Sequence, residues 1–264
     1  MDDQEVGRYW EANAPAWTKL SRAGYDVYRD WMNTPAFMEM LPEVAGLRGL
    51  DIGCGEGHNT RLLAGRGAKM IGIDIAPSFI AAARQAEADE PLGIEYRVAS
   101  GTDLPFADEA FDFATAFMSL MDMADSPAAV REAWRVLAAG GFFQFSIIHP
   151  CFFTRHWGWL RDEAGKRYAV KVGGYFDPPQ GQIEEWIFGA APPEVREGLA
   201  RFRVPRFFHT LSDWMNTLID AGFAIERMNE PCADDQTARR QPDVADTRIV
   251  AFFLHVRCRK PPST

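Results

Sequence analysis

Within eight residues, Leu50-Asp51-Ile52-Gly53-Cys54-Gly55-Glu56-Gly57, the chain sets an aspartate and three glycines directly after a short apolar run, Arg48 to Ile52, and before a helical pattern, His58 to Gly65. Glycines at such a junction permit a tight turn and let backbone N–H groups approach a ligand beside the positive end of a helix. The spacing is G-x-G-x-G, not the G-x-G-x-x-G of the dinucleotide-binding turn. Asp74 follows Asp51 by 23 residues, at the end of the next strand. A carboxylate there can accept hydrogen bonds from both hydroxyls of a ribose lying across the two strand ends. Plainer readings exist for both features: a βα turn that holds nothing, and an aspartate that caps the next helix.

The elements that must position these residues alternate. Strands are expected at Arg48 to Ile52, Lys69 to Ile75, Ile94 to Ala99, Phe111 to Phe117 and Phe142 to Ile148. Helices are expected at His58 to Gly65, from Pro77-Ser78 to Ala88, and from the Ser126-Pro127 cap pair to Ala138, stopped by Gly140-Gly141. Strands separated by helices of this length imply crossover connections and a parallel sheet. The regularity stops at His149-Pro150. It returns with a helix capped by Ser212 and ending at Ala221-Gly222, then two strands, Phe223 to Met228 and Arg248 to Arg257, joined by a polar loop from Glu230 to Asp246. The layout is therefore an α/β core over 41–150 and 205–264, an N-terminal segment over 1–40, and an insertion over 151–204.

Composition bounds the function. The 264 residues are 47% hydrophobic and 25% charged, with 37 acidic against 28 basic residues and a net charge of −9. That composition excludes disorder, collagen and coiled coil as the main description. The acidic balance argues against nucleic acid as a partner, because phosphate binding needs clustered Lys and Arg. Cys54, Cys151, Cys232 and Cys258 lie far apart and form neither a metal-ligand pattern nor a disulfide framework, so no metal is expected. No apolar run reaches the ~20 residues that span a bilayer, and the acidic start Met1-Asp2-Asp3 lacks the features of a signal peptide. A cytoplasmic protein with reduced thiols and no membrane partner is the expectation.

The Asp51–Gly57 turn and Asp74, with Gly101-Thr102-Asp103-Leu104-Pro105-Phe106 after the third strand, Phe111-Asp112 opening the fourth and Leu137-Ala138-Ala139-Gly140-Gly141 before the fifth, resemble the class I S-adenosylmethionine-dependent methyltransferases, of the small-molecule type. The family's Lys and Pro in the last of these segments are alanines here. The resemblance spans about 110 contiguous residues and, more loosely, the two C-terminal strands. It implies a Rossmann-like, doubly wound, seven-stranded sheet with its last strand antiparallel, and S-adenosylmethionine as cofactor, leaving as S-adenosylhomocysteine. Carried onto this chain, Gly53, Cys54 and Gly55 line the methionine moiety, Asp51 meets its ammonium directly or through water, and Asp74 holds the ribose. Ile75 lies on the adenine face, Gly101 and Thr102 border the ring from the far side, and Phe117 and Met118 close the pocket floor. Many relatives carry an Asp where this chain has Ser100; that Asp accepts from the adenine amino group, and serine lacks its charge.

Methyl transfer is an in-line displacement from a good leaving group, so alignment of the reactants supplies most of the acceleration, and effective molarities are worth roughly 7–11 kcal/mol. A general base is needed only where the acceptor must lose a proton. His149, just past the fifth strand, is the first candidate, followed by His209 and Asp122; a lone histidine is otherwise a hydrogen-bonded structural residue.

Aromatic rings are unevenly placed. Residues 1–40 hold seven and residues 151–208 hold twelve of the chain's 33. A surplus outside the core strands suggests that the N-terminal segment and the insertion form a helical lid and a cap over an acceptor pocket that excludes water, with Trp17, Tyr25, Phe152, Trp157 and Tyr175 as its wall; the alternative is that both segments use their rings to pack onto the sheet. Arg155, Arg161, Lys166 and Arg167 are either a greeting for an anionic acceptor or a solvated surface. The partner expected is a small-molecule acceptor; neither the methylated atom nor an oligomeric state is encoded in these features. Two other functions carry weight: a nicotinamide-dependent oxidoreductase, against which the glycine spacing counts, and a catalytically silent S-adenosylmethionine-binding module.

Overall fold

The computed structural model describes residues 1–178 and 180–262. Helix α1 (Asp3–Arg22), a π-helical turn at Arg29–Asn33 and α2 (Thr34–Met40) precede the core. The core runs β1 (Arg48–Ile52), α3 (His58–Gly65), β2 (Lys69–Asp74), α4 (Pro77–Asp89), β3 (Glu95–Val98), β4 (Phe111–Phe117), α5 (Ser126–Val136) and β5 (Leu137–Ile148). Two hairpins follow, β6 (Gly158–Arg161) with β7 (Arg167–Lys171) and β8 (Gln180–Trp186) with β9 (Phe202–Phe207), the second enclosing the short α6 (Pro193–Arg196). The chain then adds α7 (Leu211–Asp220), β10 (Ala224–Asn229), α8 (Asp235–Arg240) and β11 (Phe253–Arg259).

Seven strands form one sheet in the order β10-β11-β5-β4-β1-β2-β3. β11 lies antiparallel to both its neighbours, while the β1–β2, β1–β4, β2–β3 and β4–β5 pairs are parallel. This is the doubly wound, seven-stranded sheet with an antiparallel last strand that the sequence implies. Apolar runs explain its centre: β4 and β5 bury Phe113, Phe143 and Phe145 completely, as expected of strands covered on both faces. The carboxyl ends of β1, β2 and β4 come together at one edge, and the glycine turn emerges there.

Local differences from the sequence reading have local causes. The helix before β5 stops at Val136, and Leu137 already pairs with Phe111; the glycines then bulge the strand, shifting its register against β4 between Phe111 and Phe113. That helix is capped by Asp125, whose carboxylate accepts from Ala128 N, and not by Ser126. Helix α7 is capped by Thr210, reciprocally with Asp213, and not by Ser212. The segment 230–246 is not simply a loop, since it contains α8 and runs into a 3₁₀ turn at Pro242–Arg248. The last strand therefore starts at Phe253 instead of Arg248.

Candidate active site

The turn after β1 is held by β2. Gly53 N and Cys54 N both donate to Ile73 O at 2.8 Å, which bends the chain across the end of β2. Gly53 has φ +74°, and a Cβ there would stand 2.4 Å from Ser119 Cβ, so no other residue fits. At Gly55 nothing lies within 4 Å of where a Cβ would be, which leaves that wall open to a ligand.

Asp51 is 1% exposed and accepts from Thr60 Oγ1 at 2.6 Å and Thr115 Oγ1 at 2.8 Å. Burial raises its pKa, and the two hydroxyl donors only partly oppose that. Asp74 Oδ2 accepts from Gly55 N and Oδ1 from Ala76 N, each at 2.9 Å. Asp74 thus braces the glycine turn and the entry to α4 while also lining the cavity. Burial lifts its pKa to about 6 against the pull of those two N–H donors.

Helix α1 lies over this edge. Asp3 Oδ2 accepts from Ser100 Oγ at 2.6 Å and from Thr102 Oγ1, and Glu11 accepts from Ser78 N at 2.9 Å and Ser78 Oγ at 2.5 Å. A Cβ on Gly7, between them, would stand 3.2 Å from Ile75 Cγ1. Beyond the glycine turn, Arg29 Nη1 donates to Ser21 Oγ at 2.6 Å and to Glu56 Oε1 at 3.3 Å. Burial disfavours the Arg29 charge, but Asp26, Asp30 and Glu56 outweigh it and hold the guanidinium protonated. Burial in turn raises Asp26 to about 6, with Arg29 pulling it down.

The opposite wall is aromatic with a polar centre. Tyr28 stacks on Phe252 at 5.2 Å, and Phe153 meets Phe252 edge-on at 5.0 Å, with Trp157 beside Phe153. The Tyr28 hydroxyl donates to Asp246, which is also paired with Arg167. Arg206, 6% exposed, bonds Asp122 Oδ1 at 2.9 Å and Glu184 Oε2 at 3.0 Å. Burial lifts Asp122 to about 6 even though Arg206 opposes it. Met118, at the end of β4, has φ +56°, a left-handed conformation rare for a side chain of its bulk; its N–H is held by Ser146 O at 2.9 Å.

These two walls enclose one cavity of about 1580 Å³. Of the residues named from the sequence, it brings together Asp51, Gly53, Cys54, Gly55, Asp74, Ile75, Ser100, Gly101, Phe117, Met118 and Asp122 with Trp17, Tyr25 and Trp157. Among the described residues, Thr102, Phe152, Tyr175, His149 and His209 lie off the wall. Thr102 reaches it indirectly through Asp3. Phe152 packs on the His149 ring at 4.6 Å, and the Tyr175 hydroxyl accepts from Leu211 N at 2.8 Å. His149 is 2% exposed; Nδ1 accepts from Cys151 N at 3.2 Å and Nε2 lies 2.7 Å from Glu230 Oε1, so the proton sits on Nε2. Burial lowers its pKa despite Glu230. His209 Nε2 meets Ser126 Oγ at 3.0 Å with its ring edge-on to Trp214.

The sequence reading missed Asp3, Gly7, Glu11, Arg29 and Arg206. The first three recur every four residues on one helix face, a polar stripe with no role in the sheet. Arg29 and Arg206 carry no spacing signal; each is identified only by the carboxylates that the fold brings to it.

The methyltransferase domain family matches residues 50–145. A crystal structure of an S-adenosylmethionine-dependent methyltransferase from Mesorhizobium loti is 31% identical, covers 85% of this chain and 96% of that one, and superposes with a TM-score of 0.69. The chain belongs to the S-adenosylmethionine-dependent methyltransferases. Membership counts against the nicotinamide alternative. Among curated proteins, this methyltransferase chain is 33% identical over 136 residues to the 2-phytyl-1,4-naphtoquinone methyltransferase of Thermosynechococcus vestitus, covering 50% of this chain and 59% of that protein. It is 32% identical over 145 residues to the ubiquinone biosynthesis O-methyltransferase of Xanthomonas oryzae, covering 54% of this chain and 57% of that one. It thus spans less than three fifths of the length of these curated relatives. No helix among the described residues of the methyltransferase is long and apolar enough to cross a membrane.

Proposed function

We propose that the protein transfers a methyl group from S-adenosylmethionine to a small, largely apolar acceptor held under α1 and the hairpin insertion. The observation that carries this reading is the shared cavity. Its volume, about 1580 Å³, exceeds the roughly 300–1,000 Å³ of a site for one drug-sized ligand, so it has room for cofactor and acceptor together. The residues fit the cofactor: an open glycine cradle at Gly55, an acceptor-only carboxylate at Asp74, and a buried cation, Arg29, on the same wall for a ligand carboxylate. The cofactor, when bound, supplies an electrophilic methyl group on a sulfonium.

In this reading Gly53, Cys54 and Gly55 present backbone to the methionine moiety, with Asp51 near its ammonium. Asp74 orients the ribose. Ile75, Ser100 and Gly101 border the adenine, with Thr102 acting only through Asp3, while Phe117 and Met118 form the floor between the two ligands. Trp17, Tyr25, Phe153 and Trp157 hold an aromatic acceptor and exclude water. Asp122 takes the acceptor's proton: it lies on the wall, and its carboxylate is near its titration point at neutral pH. Arg206 then stabilises the charge that the acceptor develops. The quinone-related names of the curated relatives favour a quinol or phenol as the acceptor class.

Titration calorimetry with S-adenosylmethionine, S-adenosylhomocysteine and NAD tests the cofactor, followed by methyl transfer to a panel of phenols and quinols. Binding of the first two with turnover supports the proposal, whereas binding without turnover across the panel favours a silent module. Unchanged cofactor affinity in Asp74→Ala removes the ribose assignment.

A further inference from the structure

We propose that Asp3 recognises the exocyclic amine of the cofactor's adenine, so that the N-terminal helix completes the adenosine site and selects the base. The inference rests on the cavity being an S-adenosylmethionine site. Its observations are separate from those that support that reading.

Asp3 lines the cavity at the first turn of α1, beside Ser100 and Gly101. The hydroxyls of Ser100 and Thr102 both donate to one oxygen, Oδ2, and Thr102 N donates to Ser100 Oγ at 3.2 Å. The two hydroxyls have therefore spent their protons on orienting a carboxylate, and Ser100 has spent a lone pair on the backbone. What this edge offers a ligand is the acceptor capacity of Asp3: a second carboxyl oxygen with its own lone pairs. Such a group binds an N–H donor and repels a carbonyl. A purine with an exocyclic amine satisfies it, and a purine with a 6-keto group does not.

The helix is built to hold Asp3 there. Asp2 caps it, accepting from Glu5 N at 2.8 Å, while Glu5 accepts from Asp2 N at 3.1 Å. Gly7 lets the helix lie directly on Ile75, and Glu11 fastens it to the first turn of α4 through Ser78. The face that bears Asp3, Gly7 and Glu11 thus runs along the carboxyl edge of β2 and β3, and Asp3 cannot withdraw without the helix.

The test compares S-adenosylhomocysteine with its inosine counterpart, in which a carbonyl replaces the amine, by calorimetry on the full chain. The wild-type protein should favour the adenine compound by about tenfold or more, as for a hydrogen bond to a charged group. Asp3→Ala should lose that preference by weakening only the adenine compound. Asp3→Asn, which can present either a donor or an acceptor, should bind both with similar affinity. Equal weakening of both compounds in Asp3→Ala would mean that Asp3 merely anchors α1, and would overturn the proposal. So would a wild-type protein that binds both alike. Wild-type protein that binds neither compound overturns the cofactor reading itself, a result distinct from the other two.

Discussion

Asn13, in the middle of α1, hydrogen-bonds both backbone groups of Arg203 in β9: its Nδ2 donates to Arg203 O at 3.0 Å, and its Oδ1 accepts from Arg203 N at 2.9 Å. A side-chain amide here does what a neighbouring strand would do for the open edge of a hairpin. Four residues on, Trp17 packs at 4.8 Å from Phe202, 5.0 Å from Phe188 and 5.3 Å from Trp186. One helix therefore touches the β2–β3 edge of the cavity through Asp3, Gly7 and Glu11 and the insertion through Asn13 and Trp17.

Replacing Asn13 by Ala removes the partners of both backbone groups of Arg203, the one exposed residue of an otherwise buried strand. The expected cost is about 1–3 kcal/mol, concentrated where α1 meets the β8–β9 hairpin. Limited proteolysis of the variant should show faster cleavage within 180–207, and the acceptor KM should rise while the cofactor Kd changes little. Equal effects on both ligands would mean that the contact supports the whole cavity and not one side.

Cofactor affinity should depend on pH through Asp74. Its pKa in the free protein is raised to about 6 by burial, and ribose hydroxyls are accepted by the ionised form. Affinity should therefore be level above pH 7 and fall as the pH drops through 6, towards about tenfold per unit. Calorimetry in buffers of different ionisation enthalpy should detect net proton release on binding near pH 6. Asp74→Asn should flatten the curve.

The parts legible in the sequence are those whose physics is local. The G-x-G-x-G turn, Asp74 and the strand–helix alternation each occupy a few consecutive residues, and the seven-stranded sheet follows from them with the resemblance they carry. The hairpins at 158–171 and 180–207 were not legible. β6, β7 and β8 are short and half-exposed, only β9 is mostly buried, and what holds these strands is distant: Asn13 and Trp17 for β8–β9, and Asp246 on Arg167 of β7. The same holds for the Arg206–Asp122–Glu184 group, whose members are 84 and 22 residues apart in sequence. His149 drew attention by its place after β5, yet the turn at Pro150–Cys151 folds its ring back onto the backbone of Cys151 and onto Glu230.

Two candidates for proton acceptance can now be separated by substitution. Asp122→Asn should lower kcat by ~10²–10⁴-fold, the usual worth of general base catalysis, and remove a rise in kcat between pH 5 and 7. His149→Ala should retain most of kcat but lose about 1–3 kcal/mol of stability, because Cys151 N and Glu230 lose their partner. Measured with both substrates saturating, kcat excludes the Asp74 effect. The reverse pattern would restore His149 as the base.

Acid stability should be set in part by His255, which sits one hydrogen bond behind the cavity wall at Asn33. Its side chain is fully buried in β11, Nε2 donates to Asn33 Oδ1 at 2.6 Å, and Nδ1 has no partner among the described residues. Burial drives its pKa from 6.5 down to about 3. The unfolded chain thus binds a proton that the folded one refuses, so this contribution to stability is complete above pH 6.5 and is lost as the pH falls towards 3. The slope is about 1.4 kcal/mol per pH unit. Asp26, Asp74 and Asp122, each raised to about 6, act in the opposite sense: they favour the fold as the pH falls through that value. The His255 effect must therefore be read as a difference. His255→Gln can still donate to Asn33 but cannot titrate, so urea melts of the variant and the wild type should converge as the pH drops from 6.5 to 4. Parallel curves across that range would show that the ring does not titrate on unfolding.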